Sequence, residues 1–348
     1  MSSSPSAPNS AEPSAARSSR VVVLGGGEAG LALLQALAES DVPPDVILIE
    51  PSSHHFEQRT WMQVGTEGMD KEQTQSDLRT HLPEFVTWTQ DSASNIDPEE
   101  QTVTTQDGER VSYDYLVVAL GTRVHWDRIR GLKENLGRHG LCSVYGYEQA
   151  ERTWDMIRRF EGGRALFTAP STPFKGGSAP LSILRKAESL WRTSGVHDQT
   201  DLYFATAASS TFAGEAYADL MQRAERDDHV HVYTGYELID VRPDRREAVF
   251  SVTKGQSQSK DVLPYDLLHA VPPMRPPELI EESRLALRDG PMRGYLDVHP
   301  DTLRHKHFDT IFGVGDAIGV EGVKTAERAR EQADSVARVL KDLVGEAG

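Results

Sequence analysis

Cysteine is almost missing from this chain of 348 residues. Cys142 stands alone, which excludes an intramolecular disulfide and any metal site built from several cysteines. Long apolar runs are missing too: no stretch of about 18 apolar residues could span a bilayer, and no apolar segment near the N-terminus marks a secretory signal. Clustered basic residues are a third absence. With 37 Lys and Arg against 53 Asp and Glu the formal net charge is -16, which argues against nucleic acid as a partner and against docking on an anionic lipid surface. Cytoplasmic residence, at most peripheral to the inner face of a membrane, is the expectation. The segment from Met1 to about Ser19 is Ser, Pro and Ala with almost no large apolar residue, the composition of a disordered tail.

The chain has length for two domains, each with its own core. Its organising stretch is Val21-Val22-Val23-Leu24-Gly25-Gly26-Gly27-Glu28-Ala29-Gly30, followed by the helically spaced Leu31 to Ala38. This reads as strand, tight turn and helix. Gly25, Gly27 and Gly30 have the G-x-G-x-x-G spacing: one glycine for the turn, one to let backbone approach a pyrophosphate, one to pack helix on strand. A second apolar strand, Val46 to Ile49, ends in Glu50, placed where an acid accepts hydrogen bonds from a ribose diol. Glu28 sits in the first helical turn, where its charge suits the dipole but repels a pyrophosphate.

Further along, Pro51 to Trp61 leaves the second strand, and a polar helix is expected from about Lys71 to His81. Trp61 reads as core or as pocket lining. His54 and His55, adjacent in an extended segment, point to opposite sides and form no metal pair. Val86 to Thr89, the stretch ending at Ile96, and Thr102 to Thr105 read as short strands, with a turn at Gln106 to Glu109. The apolar strand Tyr115 to Leu120 ends in Gly121-Thr122, at the strand end where doubly wound sheets bind cofactors.

The middle of the chain repeats the alternation. Helices are expected at Glu148 to Phe160, Ser178 to Thr193 and Ala213 to Arg226; strands at Ala165 to Thr168, Leu202 to Ala205, His229 to Tyr233, Leu238 to Val241, Ala248 to Val252 and Leu267 to Ala270. The turn after Thr168 carries Pro170 and Pro173 where a second phosphate fingerprint would carry glycines, so a bound nicotinamide dinucleotide is not expected. His229 and His231 share a strand face without further ligands nearby. Near the end, Thr310 to Gly315 runs into Asp316, a carboxylate placed for ribityl hydroxyls. Thr325 then caps a helix from Ala326 to Val344 whose positive end suits a reduced flavin.

This order resembles the two-dinucleotide-binding-domain flavoproteins, and within them the sulfide:quinone oxidoreductase family, in the branch that includes the mitochondrial enzyme. The residues carrying the resemblance are His55-Phe56-x-Gln58-x-x-Trp61, Ser143-x-Tyr145 with Glu148 to Trp154, Thr172-Pro173-x-Lys175, Leu268-His269 with Val271 to Met274, and Phe312-Gly313-x-Gly315-Asp316 followed by Lys324-Thr325. It implies an α/β fold of two Rossmann-like domains. Residues 20–122 and 286–348 would form the FAD-binding domain and residues 123–285 a second nucleotide-binding-like domain, with residues 1–19 outside as the tail. It implies FAD held by Gly25, Gly27, Glu28, Ala29 and Gly30, by Glu50, Pro51 and Gln58, and by Ala93, Ala119, Leu120 and Gly121. Gly315, Asp316, Lys324 and Thr325 would complete the site.

Two departures bear on mechanism. The family's bridging redox cysteines, one after the lysine of Thr-Pro-x-Lys and one after Gly-Asp, are here Gly176 and Ala317. Neither can be a nucleophile or carry a persulfide. Lys175 and Cys142 are then the candidate catalytic residues: a cation for an anionic donor, and a thiol that is alternatively a small buried hydrophobe. The amphipathic helices with which the family seats itself on the membrane would follow the closing helix, and the chain ends at Gly348. The expected function is an FAD-dependent oxidoreductase passing electrons from a sulfur donor to a quinone-like acceptor with altered donor chemistry. Its expected partners are small molecules and, in a homodimer, a second copy. The alternative is a flavin-binding partner or regulatory protein that has lost catalysis.

Overall fold

The computed structural model describes residues 19–40, 43–209 and 215–346; the expected tail, apart from Ser19, lies outside the described residues, as do the first two residues of the helix expected from Ala213. The β-branched run forms β1 (Arg20–Leu24), the glycine turn leads into α1 (Glu28–Ala38), and β2 (Asp45–Ile49) follows. Next come β3 (His54–Phe56), α2 (Trp61–Glu67), β4 (Gln75–Asp77) and β5 (Val86–Thr89). A meander of β6 (Ala93–Asp97), β7 (Thr102–Thr105) and β8 (Arg110–Ser112) leads to β9 (Tyr115–Val118).

The expected helix from Lys71 to His81 does not form. Asp70 and Asp77 each accept a backbone N–H two residues on, from Glu72 at 3.4 Å and Arg79 at 2.9 Å, and so each opens its own short turn. The residues between them pair instead as β4, antiparallel to β3. Helix α2 carried no helical signal because Gly65 and Gly68 break the pattern. Their reason is tertiary: a Cβ at Gly65 would lie 2.5 Å from Val144 Cγ1, and one at Gly68 would lie 2.7 Å from the Trp154 ring.

The second half begins with β10 (Arg123–Val124) and β11 (Leu141–Cys142) and continues through α3 (Tyr147–Arg158), β12 (Gly163–Ala169), α4 (Ala179–Ser194), β13 (Thr200–Thr206), α5 (Glu215–Ala224) and β14 (Val230–Thr234). An antiparallel meander, β15 (Tyr236–Arg242), β16 (Glu247–Lys254) and β17 (Ser257–Pro264), precedes β18 (Leu267–His269), β19 (Met274–Arg275) and α6 (Glu278–Glu281). β17 was not expected, because five of its eight residues are polar or charged and most of it is exposed. β20 (Ile311–Gly313) and α7 (Ala326–Glu346) close the chain.

Two parallel sheets result. One has the order β20-β9-β1-β2-β5, the other β11-β18-β12-β13-β14, each built by crossovers. In the first, Val21 to Leu24 are fully buried, as expected for a strand covered on both faces. Helices α1 and α7 pack on it with Leu33, Leu34 and Leu37 from one and Ala333, Val336, Ala337 and Leu340 from the other, all in a single core. Each large apolar side chain so buried contributes about 1.5–3 kcal/mol. Among the described residues no helix is long and apolar enough to cross a membrane.

Candidate functional site

Because the first sheet is parallel, the segments leaving β1, β2, β9 and β20 meet along one edge, at the carboxyl ends of the strands. That edge gathers Gly25 to Gly30, Glu50, Ala119 to Gly121 and Gly315-Asp316. The three fingerprint glycines differ in what they do. Gly25 has φ +104°, donates its N–H to Ile49 O at 3.0 Å, and leaves so little room that a Cβ would sit 2.6 Å from Ala119 O. A Cβ at Gly30 would sit 2.0 Å from Gly25 O. At Gly27, the residue capping α1, an added Cβ meets nothing within 4 Å. Packing therefore explains the first and third glycines, whereas the second leaves backbone open to a ligand at the positive end of a helix, which is what a pyrophosphate requires.

Glu50 is positioned by backbone: Gly26 and Ser52 each donate an N–H to one of its carboxylate oxygens at 2.8 Å, and Trp88 Nε1 donates to its carbonyl at 2.8 Å. Each oxygen keeps lone pairs for a ribose hydroxyl. Pro51 follows, exposed on the same edge. Glu28 is drawn away from the phosphate face by an ion pair with Arg330 of α7. Ala29 lies under Gly315, whose hypothetical Cβ would come 2.9 Å from the Ala29 Cβ. Ala93 opens β6, half-buried and paired with Thr105. Gly121 has φ +62° and, like Gly27, open space around a hypothetical Cβ.

On the other side, the segment after β12 is tied to the segment before α7: Gly176 donates its N–H to Lys324 O at 2.8 Å. Lys175 and Lys324 are thus neighbours in a short parallel bridge between the halves of the molecule. The Lys175 ammonium donates to Gln58 Oε1 at 2.7 Å, its carbonyl accepts from Tyr145 OH at 3.1 Å, and its N–H donates to Met274 Sδ at 3.4 Å. Lys324 is 7% exposed; its ammonium donates to Ile318 O at 2.8 Å and stands 5.3 Å from the Tyr295 ring centroid. Burial pulls it down to about 8 against the opposing attraction of Asp316. Burial likewise lowers Lys175 and raises Asp316, each countered by the other. Among the described residues no donor reaches the Asp316 carboxylate, so its oxygens are free to accept from ribityl hydroxyls. Thr325 accepts from Arg328 N–H at 3.3 Å, and α7 starts there.

Cys142 lies elsewhere. It sits in β11, 1% exposed within the second core, paired in register with His269, and desolvation pushes its thiol up to about 12. This is the setting of a neutral apolar side chain rather than a nucleophile. Ala317 is fully buried, and Gly176 has φ +87°. Trp61 is half-buried: Nε1 donates to Thr74 Oγ1 at 3.2 Å and the ring meets Phe56 edge-on at 6.2 Å. His229 pairs with Asp201 and His231 packs on Tyr203.

Sequence reasoning missed Gln332, whose Oε1 accepts the Gly315 N–H at 2.9 Å, and His55, 7% exposed beside Gly26 and His81. Gln332 stands seven residues after Thr325, two helical turns on, and that spacing could have found it. His55 was read only as part of the pattern His55-Phe56-x-Gln58-x-x-Trp61 that carries the resemblance, with no role of its own.

Comparison with known proteins agrees with this geometry. The model of the pyridine nucleotide-disulphide oxidoreductase family matches residues 19–154. The mitochondrial sulfide:quinone oxidoreductase of Dictyostelium discoideum is 35% identical over 90% of this chain and 68% of its own length. The mitochondrial enzyme of the same name from Mus musculus is 33% identical over 92% and 70%. The X-ray structure of the sulfide:quinone oxidoreductase from Aquifex aeolicus superposes with a TM-score of 0.79 at 20% identity, covering 94% of this chain and 78% of that one. With glycine cradle, acid and closing helix on one sheet edge, and with relatives of this identity along nine-tenths of its length, the chain belongs to the sulfide:quinone oxidoreductase family, FAD-dependent oxidoreductases with two dinucleotide-binding domains.

Proposed function

We propose that this protein oxidises a small sulfur anion without any thiol of its own and passes the two electrons to a quinone-like acceptor. The observation that carries the proposal is Lys175: an ammonium held by Gln58 at 2.7 Å where the two halves meet, next to Gly176, at which no sulfur stands. Bound FAD supplies the two-electron acceptor on this face. The chain's own residues hold the anion and balance its charge. Lys175 attracts the donor, and Asp316 and Lys324 fix the field around it. With hydrosulfide as donor, two HS⁻ ions yield one hydrodisulfide ion, one proton and two electrons, a balance that needs no sulfur carried on the protein.

Sulfide and quinone are in the names of the relatives, and that supports the choice of donor and acceptor here. Peripheral contact with the inner face of a membrane, where a quinone would be met, belongs to the same proposal. A nicotinamide donor is disfavoured by the turn after β12, where the Glu237 carboxylate accepts the Ser171 N–H at 2.9 Å and so brings negative charge to the place a second pyrophosphate would need. A second reading, a flavin-binding partner without catalysis, is favoured by the backbone at Gly176, which has settled in a conformation that glycine alone adopts easily.

An anaerobic absorbance titration separates these readings. Sulfide is expected to bleach the oxidised flavin band, in the Cys142→Ser variant as in the parent, while NADH leaves it intact. Bleaching by stoichiometric NADH would restore a dehydrogenase reading, and a fully loaded flavin that neither sulfide nor another sulfur anion reduces would favour the non-catalytic one.

A further inference from the structure

Away from the flavin edge, a cleft of about 520 Å³ opens at the amino ends of β12 and β18, lined by Gly162 and by Asp266-Leu267 where those strands begin. The cofactor crevice of such sheets lies at the carboxyl ends, so this cleft is on the opposite edge. Three guanidinium groups line it: Arg152 and Arg159, two turns apart in the α3 region, and Arg246 from the distant turn between β15 and β16. In a chain of net charge -16 that is an unexpected concentration.

The acids present balance them only in part, because Arg158 and Arg164 share the same carboxylates. Asp155 is already held by Arg158, outside the lining, through Nε at 3.0 Å and a terminal nitrogen at 2.6 Å. Asp266 is held by Arg164, also outside it, through the backbone N–H at 2.9 Å and Nε at 3.0 Å. Arg159 and Arg246 approach these carboxylates only to 3.9 Å and 3.6 Å, too far for a hydrogen bond, and Arg152 makes no ion pair among the described residues. The remaining acid, Glu161, is exposed. On the same face of the α3 region as Arg152, at successive spacings of four, Met156 and Phe160 add an apolar strip, with the Phe160 ring against Trp191 at 4.7 Å.

Guanidinium forks with open donors recognise phosphate, and a ring wall beside them accepts a flat apolar group. The volume is within the range of small-molecule sites. We propose that this cleft binds a nucleotide, a phosphate-bearing anion with an aromatic base, as a site separate from the flavin.

The test uses the FAD-loaded protein, so that the nucleotide half of the flavin site is not open to the probe. Calorimetric titration with ATP, ADP, adenosine and inorganic pyrophosphate is expected to show one ATP or ADP per chain, weakened by added salt. Adenosine should give no binding, and pyrophosphate weaker binding than ATP. Replacing Arg152→Gln or Arg246→Gln, both on the surface, should each weaken ATP roughly ten-fold while flavin content stays at the parent level. No binding of ATP at millimolar concentration, or binding unchanged in both variants, overturns the site. Pyrophosphate bound as tightly as ATP overturns the nucleotide assignment, and release of flavin during the titration shows that the probe has entered the flavin site instead.

Discussion

Restoring a side chain at Gly176 tests whether the loss of the bridging cysteine is built into the backbone. The residue has φ +87°, which for an L-residue costs about 1–2 kcal/mol. A Cβ there would also lie 2.9 Å from the Ala179 Cβ, when ordinary carbon contacts are about 3.5–4.0 Å. Relief means moving either the first turn of α4 or the Gly176–Lys324 backbone bond, and such overpacking typically costs about 1–3 kcal/mol. Gly176→Ala should therefore destabilise the FAD-loaded protein by about 2–5 kcal/mol in denaturant unfolding. Gly195→Ala isolates the first term: φ is +76° with open space around the Cβ, so the loss there should be only about 1 kcal/mol. Gly176→Cys should behave as the alanine variant does. The reasoning is refuted if Gly176→Ala lies within about 0.5 kcal/mol of the parent, or if it costs no more than Gly195→Ala.

Three further outcomes follow from the same geometry. Gly27→Ala should leave the unfolding midpoint of the flavin-free protein unchanged and still lower flavin content, because its Cβ meets no protein atom, whereas Gly30→Ala should fail to fold stably; both are read by flavin absorbance and circular dichroism. Glu28→Ala should leave flavin content unchanged or raise it, since the carboxylate is occupied by Arg330, and a large loss of flavin would show that Glu28 itself holds the cofactor. Lys324 binds its proton less tightly when folded, at about 8, than the ordinary lysine value of 10.5. Between these values the unfolded state holds more protons, so stability should rise with pH from about 8 to 10.5 by on the order of 1–3 kcal/mol, and the rise should vanish in Lys324→Met.

What could be seen in the sequence was local. The glycine spacing after Val21 to Leu24, the acid after Val46 to Ile49, and the long helix after Thr325 are patterns whose physics lies within a few residues. The parallel sheet then collects them on one edge without further instruction. Most of the failures are long-range. Lys71 to His81 is polar enough for an exposed helix, but capping aspartates and pairing with β3 divide it. Gly65 has its reason in the distant Val144, whose Cγ1 an added Cβ would approach to 2.5 Å. Cys142 reads sooner as a small buried hydrophobe than as a reactive thiol, and its place between β18 and the second core accords with the former. Helical spacing puts Arg152 and Arg159 on one side of α3, but no periodicity could have added Arg246 to them.

The same distinction explains how the fold outlasts the loss of its thiols. Lys175 and Lys324 flank the places where the family's cysteines stand, yet what they do structurally is done by backbone and by stems. One backbone bond joins Gly176 to Lys324, carbonyls of Ile318 and Val320 receive the Lys324 ammonium, and Tyr145 holds the Lys175 carbonyl. None of these needs sulfur. A disulfide across this junction would add a covalent tie to one that hydrogen bonds already close, so replacing Cys by Gly176 and Ala317 removes chemistry without opening the site. Glu50 and Gly27 belong to the edge of the first sheet, and Ala317 directly follows Asp316 in one short turn there, fully buried.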